Sequence, residues 1–382
     1  MSDRNRRTIL MIVFSEVRYD GRVLRTAEAL ARDYDVILSG LGDCPICLET
    51  RIRYLQVCIP SSPRWLSHVF FFVKTILIGL RVQPDIVHAH DYFVVLHGWI
   101  IAKMNRAVCI YDAHEFLPGI KERSHVRHWL FASLERISIN RYDMIIATSE
   151  ERAQVLRDYY SLREPPVVVK NFSSVEEYTL ESDTESFEYP IEDILEQGLP
   201  LVVYQGDMNI HSRCLDNLLR AFVGLQDKCI LIMAGDGPDL DHLQKLSDVL
   251  ELQGYVFFTG KLPKGHLMTI MRAASVGVVI YSNKETNNLL CTPNKIHEYV
   301  QAGLAVVASN QPPLVQMLGV CSIGEIFVPE ESDSIRRAIL KVLSHLENYR
   351  INIPEFLAHY SWDDEKQKLL KAYKSLKKFR CC

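Results

Sequence analysis

Cys291-Thr-Pro-Asn-Lys-Ile-His-Glu-Tyr-Val-Gln-Ala-Gly303, followed by the apolar run Leu304-Ala-Val-Val-Ala308, decides the fold. It reads as loop, helix, glycine stop and buried strand. Pro293 suits the first turn of a helix, where its missing N–H would be unpaired in any case. Gly303 supplies the left-handed residue that ends a helix. The helix opens after the polar run Ser282-Asn-Lys-Glu-Thr-Asn-Asn288. Free N–H groups at a helix start, here near Asn294, favour an anion. Lys295 adds a full positive charge, and Glu298 follows one turn along the same face. A phosphate clamp with an acidic group beside it is what a nucleoside diphosphate and its ribose hydroxyls require. The same spacing also describes an amphipathic helix with a solvated Lys and Glu.

Outward from this segment, strand-like and helix-like runs alternate. In the first half, Thr8–Phe14, Asp35–Ser39, Asp85–His90, Ala107–Tyr111 and Met144–Thr148 read as strands. Arg22–Arg32, Trp129–Asn140 and Glu150–Tyr160 read as helices. The acidic, polar stretch Ser173–Gln197 reads as a linker. The pattern then restarts with strands at Pro200–Tyr204, Cys229–Ala234, Tyr255–Thr259 and Val276–Tyr281, and the chain closes on a helix over Asp363–Phe379. Strands alternating with helices imply parallel sheets covered on both faces. The expectation is an α/β chain of two Rossmann-like domains, divided as 1–190 and 191–358, with a last helix and basic tail over 359–382. Ligands of such sheets bind outside the carboxyl ends of the strands, so a cleft between the halves would join two such edges.

Composition narrows the function. The chain has 382 residues, 48% hydrophobic and 24% charged, which describes a globular protein with room for two domains. A net charge of −4 leaves no footprint for nucleic acid. The ten cysteines lie scattered and mostly in apolar segments, as buried thiols of a reducing, cytoplasmic compartment would. Cys44-Pro-Ile-Cys47 is a single CxxC with no second pair at zinc spacing. Met1–Arg7 is basic but is followed only by a short strand-like run, so no secretory signal is expected. Leu66–Leu80 is strongly apolar, shorter than a spanning helix needs and interrupted by Lys74. It fits a core helix or one lying on a bilayer surface, with Trp65, Arg64, Lys74 and Arg81 at the headgroups. The tail ends in two cysteines after Lys374-Ser-Leu-Lys-Lys-Phe-Arg, a conceivable lipid acceptor.

Several clusters could carry chemistry. Asp112-Ala-His-Glu115 ends a strand, where His114 could donate to a sugar hydroxyl or a developing phosphate charge, or merely cap a helix. His88 and His90 share a strand face, and Asp91 makes a metal conceivable, although spacing supplies no third ligand. Arg213 precedes a helix and could fork onto a phosphate. Gly21 and Gly206 follow strands and permit close backbone approach to a ligand. Asp239-Leu-Asp241 sits at a helix start, where carboxylates cap N–H groups.

Three of these stretches together resemble one family. Pro293-Asn-Lys-x-x-Glu-Tyr with Ala-Gly and Val-Val-Ala-Ser, Asp112-Ala-His-Glu115, and Gly235-Asp-Gly-Pro238 are similar to segments of GT-B glycosyltransferases, particularly glycosyltransferase family four. The resemblance implies a GT-B fold, with two Rossmann-like domains facing a central cleft and a C-terminal helix crossing back to the first. It implies a retaining, metal-independent transferase with a UDP- or GDP-sugar as co-substrate and no cofactor. Glu298 matches the glutamate that binds the ribose, and His114 the histidine near the donor sugar. Arg213 matches a basic residue on the donor phosphates, with Lys295 or Lys264 as its partner. The family's Glu-x7-Glu signature lacks its first member, since that position is Leu290, and its second basic residue near the glycine is Asp207 here. The resemblance places His88–Asp91 at the acceptor cleft. It implies a saccharide or polyprenyl-linked acceptor, with peripheral membrane contact through Leu66–Leu80. A nucleotide-sugar epimerase on the same fold and a non-catalytic nucleotide- or sugar-binding subunit are the rival readings.

Overall fold

The computed structural model describes residues 6–44, 51–60, 64–120, 125–172, 194 and 196–376. Residues 190 and 191, the expected domain boundary, fall outside these, as do most of the linker, Cys47 and the two terminal cysteines. Two compact units emerge, Met1–Asn171 with Asp363–Cys382, and Phe172–Trp362.

The first unit is built on a seven-stranded sheet. Its strands are β1 (Thr8–Glu16), β2 (Asp35–Leu41), β3 (Ile52–Gln56), β4 (Ile86–His90), β5 (Val108–Ala113), β6 (Met144–Ala147) and β7 (Val167–Val168). Their order is β3-β2-β1-β4-β5-β6-β7, and every pair is parallel. The strand order reverses between β1 and β4, and this is the switch point at which such sheets open a crevice. Ile86-Val-His-Ala-His90 and Val108–Ala113 are buried along their whole length, as central strands covered on both faces must be. Apolar character alone would have filled these positions with aliphatics. His88, His90 and Asp112 there need internal partners.

The second unit repeats the plan with six strands: β8 (Leu201–Gln205), β9 (Ile230–Ala234), β10 (Val256–Gly260), β11 (Val276–Val279), β12 (Ala305–Ser309) and β13 (Gly324–Phe327). The order is β10-β9-β8-β11-β12-β13, again parallel, with the switch point between β8 and β11. Val202, Leu231, Val278 and Val307 from the strands pack with Leu218, Phe222, Ile335 and Ile339 from two covering helices, all fully buried. At the carboxyl edge, the loops after β8 and β9 nest against each other. Gly206 N donates to Ala234 O (2.8 Å), and Met208 N to Asp236 O (2.9 Å). A Cβ on Gly235, at φ +148, would lie 1.9 Å from Gly206 O, so only glycine fits.

Element boundaries follow the sequence reading with small shifts. The helix of Pro293–Gly303 runs Asn294–Gln301, with Pro293 as its N-cap and Gly303 at φ +86 behind it. The first helix is Gly21–Ala31, and the helix placed at Trp129–Asn140 begins earlier and runs His125–Ser138. The apolar run Leu66–Leu80 lies within the single helix Arg64–Val82. One expectation fails. Asp239 does not cap the helix Leu240–Val249 that follows it. Its Oδ2 accepts the N–H of Ile210 (2.8 Å), because the nested loops bring an unpaired N–H from the neighbouring turn closer than its own helix does.

The last helix, Trp362–Ser375, joins the first unit. Glu365, almost wholly buried, accepts the Lys170 N–H (2.8 Å) and pairs with Lys368 (2.6 Å). Tyr373 reaches the sheet itself, 2.6 Å from His88 Nδ1.

Candidate functional site

In the second unit, four expected residues converge at the carboxyl edge of the sheet. Gly206 follows β8 directly, and the space beside its Cα is taken by Lys295, whose Nζ lies 2.3 Å from where a Cβ would stand. Lys295 therefore reaches back from the helix Asn294–Gln301 over the β8 loop. Its ammonium sits 4.9 Å from the Tyr204 ring centroid and 5.5 Å from that of Tyr281. Arg213 ends the short helix Ile210–Arg213, and its guanidinium lies over the same Tyr281 ring at 4.2 Å. Asn288 Oδ1 accepts from Arg213 Nη1 at 3.4 Å. Two cations thus lie against one aromatic ring, each attracted by its quadrupole. Burial, then the positive charge of Arg213, push the Lys295 ammonium down to about 7, against the pull of Glu298.

Glu298 lies one turn further along the helix, and its carboxylate accepts a hydrogen bond from Gln205 Nε2. Gln205 in turn is held by its backbone, whose N–H donates to Tyr299 Oη (2.9 Å). Asn294 opens the helix as its first residue, and its side-chain Oδ1 has no hydrogen-bond partner among the described residues. Lys264 opens the helix Lys264–Ala273, and its side chain lies outside the described residues. Leu290, at the position of the missing glutamate, is buried. A cavity of 540 Å³ is walled by residues that include Ile210, His211, Asp216, Asp239, Lys284 and Glu330, and Arg213 is not one of them. Lys295 and Glu298 do not line it.

In the first unit, His114 stands one residue beyond β5, its side chain 19% exposed. Gly21 opens the helix Gly21–Ala31, where Asp20 caps Val23 N; Gly21 is not among the glycines with positive φ. Next to it, Arg22 makes a bidentate pair with buried Asp112, Nε to Oδ2 at 2.9 Å and Nη2 to Oδ1 at 2.7 Å, and spends Nη1 on Val169 O (3.0 Å). Burial pushes the Asp112 carboxyl up, but Arg22 and His114 outweigh it and hold the group well below the ordinary carboxylate range. Asp112 Oδ2 also lies 3.4 Å from His90 Nδ1 and 3.5 Å from His114 Nε2. Burial pulls the His114 imidazole down, and Asp112 more than restores it, leaving it above the ordinary histidine value. Arg152 Nη1 donates to the His114 carbonyl and fixes the backbone there.

His88 and His90 do share a face of β4, with rings stacked at 4.0 Å. Both are fully buried, so neither lines a cleft, contrary to the sequence reading. Burial lowers the basicity of both. Ligand-capable atoms of His88, His90 and Asp112 lie within 4.8 Å of one another. Asp112 is already engaged twice by Arg22 and His88 by Tyr373, which is the pattern of an internal ion-pair network. Asp91, at φ +69 after β4, supplies a further carboxyl near His114; burial pushes it up to about 7.

Sequence reasoning missed Arg22, Asp112 as an ion-pair partner, Gln205, Tyr281 and Tyr373. Their partners lie 90, 93, 68 and 285 residues away or are aromatic faces, so no local spacing announces them.

Comparison with known proteins covers most of the chain. Residues 22–177 match Glycosyltransferase Family 4, and residues 191–353 match Glycosyl transferases group 1. The alpha-monoglucosyldiacylglycerol synthase of Streptococcus pneumoniae is 25% identical over 71% of this chain, which spans 62% of that protein's length. Among solved structures, the sucrose-phosphate synthase of Thermosynechococcus elongatus superposes with a TM-score of 0.78 at 17% identity, over 97% of this chain and 99% of that one. Anabaena HepE in complex with UDP-glucose superposes with a TM-score of 0.72 at 15% identity, over 97% and 100% of the two chains. These likenesses show the GT-B fold.

The Arg22–Asp112 pair gives a direct test. Arg22→Met leaves a buried carboxylate without its counter-ion and is expected to destabilise the protein by roughly 3–5 kcal/mol in urea denaturation at pH 7. Asp112 is depressed in the folded state, so its contribution is present above its unfolded value and lost as pH falls through the folded one. The gap between wild type and variant therefore narrows below about pH 4.

Proposed function

The chain belongs to the group 1 glycosyltransferases of family 4, and we propose that it moves a sugar from a UDP- or GDP-sugar, with retention, to a saccharide or lipid-linked saccharide acceptor. The observation that carries the donor half is the convergence of Gly206, Arg213, Lys295 and Glu298 on one sheet edge. In this reading Arg213, Lys295 and the first N–H groups of the helix at Asn294 take the leaving diphosphate, where negative charge builds in the transition state. The pair of cations over Tyr281 is preorganised for that charge. Glu298, oriented by Gln205, accepts from the ribose hydroxyls. The bare Gly206 lets the diphosphate approach the backbone, and Lys264 is assigned as a further cation. UDP is favoured as the nucleotide because HepE, on the same fold, holds UDP-glucose. His114 orients the sugar, a donor phosphate oxygen takes the acceptor's proton, and no metal ion is required. Gly21 is assigned to close approach of the acceptor or phosphate.

A lipid-linked acceptor fits the surface of the first unit. The helix Arg64–Val82 contains a window, Trp65–Val82, apolar enough to cross a membrane by length and composition, of which only 22% is buried. Trp65, Val69, Val73, Leu77 and Leu80 are exposed at helical spacing along one stripe. The neighbouring helix His125–Ser138 adds exposed Val126, Trp129, Leu130 and Ile137. The two are joined by His68 against Phe131, with ring centroids 5.3 Å apart. Arg81 and Arg136 are exposed on these helices. Two tryptophans beside a basic rim suit a helix pair lying in a headgroup region.

One observation favours the non-catalytic reading: the residue in place of the family's sugar-holding glutamate is a buried leucine. Release of nucleoside diphosphate from UDP-, GDP- and ADP-sugars, with and without a membrane lipid extract, separates the two. Extract-dependent release from one donor is expected, lost at least 100-fold in His114→Ala and Glu298→Ala. Nucleotide binding with no release from any donor would establish the binding subunit, and product without matching diphosphate would establish an epimerase.

The low basicity of Lys295 sets a pH dependence. Below about pH 7 the ammonium is already formed. Above it, binding a diphosphate must draw a proton from solvent, and affinity weakens by up to about tenfold per pH unit. Calorimetry of UDP binding at pH 8 in buffers of different ionisation enthalpy should show close to one proton taken up, and Lys295→Met should abolish the uptake.

The membrane face is checked by sedimentation with vesicles. Binding to vesicles containing anionic lipid is expected, weaker to neutral vesicles or in high salt, and several-fold weaker for Trp65→Ser/Trp129→Ser. Equal sedimentation of wild type and variant would remove these helices from the reading.

A further inference from the structure

His114 is one of three histidines packed around Asp112, and the only one of them that reaches the surface. Its Nε2 points inward, 3.4 Å from His90 Nδ1 and 3.5 Å from Asp112 Oδ2. Nδ1 is therefore the nitrogen left for a ligand. Which nitrogen carries the proton depends on what His90 does. If the His90 Nδ1–H donates to Asp112, then His114 can present Nε2–H to the same carboxylate. If it donates instead to His114 Nε2, the His114 proton moves to Nδ1 and the ligand meets a donor. The two outcomes differ by a small rotation of the His90 ring.

That rotation is restrained from behind. His90 lies flat against His88 at 4.0 Å, with an interplanar angle of 18°. His88 is pinned through Nδ1 by the Tyr373 hydroxyl at 2.6 Å, contributed by the C-terminal helix 285 residues away in the chain. Tyr373, His88 and His90 are each at most 2% exposed, so water does not replace any of these contacts. Among the described residues, Nε2 of both His88 and His90 lacks a hydrogen-bond partner. The rings are thus held by one hydrogen bond each and by stacking, and loss of the Tyr373 hydroxyl removes the only such bond that His88 makes among the described residues. The charged and titratable groups around His114 are Asp112 on β5, His90 and Asp91 at the end of β4, and Arg22 on the first helix. Arg152 holds its backbone carbonyl.

We infer that Tyr373 is a positioning residue for His114: through the stacked pair His88–His90 and through Asp112, the C-terminal helix decides which ring nitrogen of His114 bears a proton. The inference builds on the reading of His114 as the residue that orients the donor sugar, but the coupling itself is measurable without turnover. The helix that completes the first unit thereby also tunes its surface histidine.

The test is the ring C–H titration of His114 by NMR, assigned with His114→Gln, in wild type and in Tyr373→Phe. With His90 released, the hold of Asp112 loosens, and the His114 midpoint is expected to fall by roughly half a pH unit. His88→Phe keeps a ring against His90 and removes the same hydrogen bond from the other side, so it should shift the midpoint in the same direction. The double variant should shift it no further than either single one. In sugar transfer, Tyr373→Phe should lower kcat by roughly tenfold with little change in KM for the nucleotide-sugar. A cooperatively folded Tyr373→Phe whose His114 midpoint equals that of wild type would overturn the inference, whatever its activity. A shifted midpoint, together with transfer unimpaired in His114→Ala, would uphold the coupling and remove His114 from the proposed function.

Discussion

The buried pair between Arg22 and Asp112 is the contact on which the first unit's edge depends. Two parallel N–H···O bonds tie the first helix to β5, and Nη1 donates to Val169 O just beyond β7. A carboxylate at this depth is costly alone, and the guanidinium is the group that makes it tolerable. Once ionised, Asp112 holds His90 and His114 in place. One ion pair thus organises three strands and a helix around the histidine at the surface.

The second unit solves the corresponding problem with backbone rather than charge. Gly206 and Gly235 let two loops approach so closely that no side chain fits between them. The room left above Gly206 is filled by Lys295, and Tyr281 offers its face to both Lys295 and Arg213. Cations held over an aromatic ring and partly desolvated are primed for an anion, and the low basicity of Lys295 is the mark of that cost before the anion arrives. The two units therefore share a topology and gather polar side chains at the carboxyl edge of the sheet, but hold them there by different physics.

Local signals were legible where the chemistry is local. Pro293, Gly303 and the apolar strand behind them defined a helix and its stop to within a residue. Asp112–Glu115 read correctly as a strand end, because alternation from apolar to polar marks the edge of a parallel sheet. The spacing of His88 and His90 puts them on one face, as observed, but their polarity points to a cleft, whereas both are fully buried. Polarity suggested exposure, and the partners that make burial possible, Tyr373 and Asp112, lie far away in the chain. Asp239 stands where a carboxylate caps its own helix, but the N–H it satisfies is that of Ile210, the first residue of the short helix 29 residues earlier.

The sequence by itself determined the parallel α/β architecture, the repeat of that plan in two halves and the position of the helix that carries Lys295 and Glu298. These follow from periodicity, turn residues and helix punctuation, all set by interactions within a few residues. Only the tertiary structure decided which groups meet: Arg22 with Asp112, Gln205 with Glu298, Lys295 and Arg213 over Tyr281, and Tyr373 with His88. Those pairings arise when sheet order brings distant strand ends together and burial forces each polar group to find a partner, a demand that no local pattern encodes.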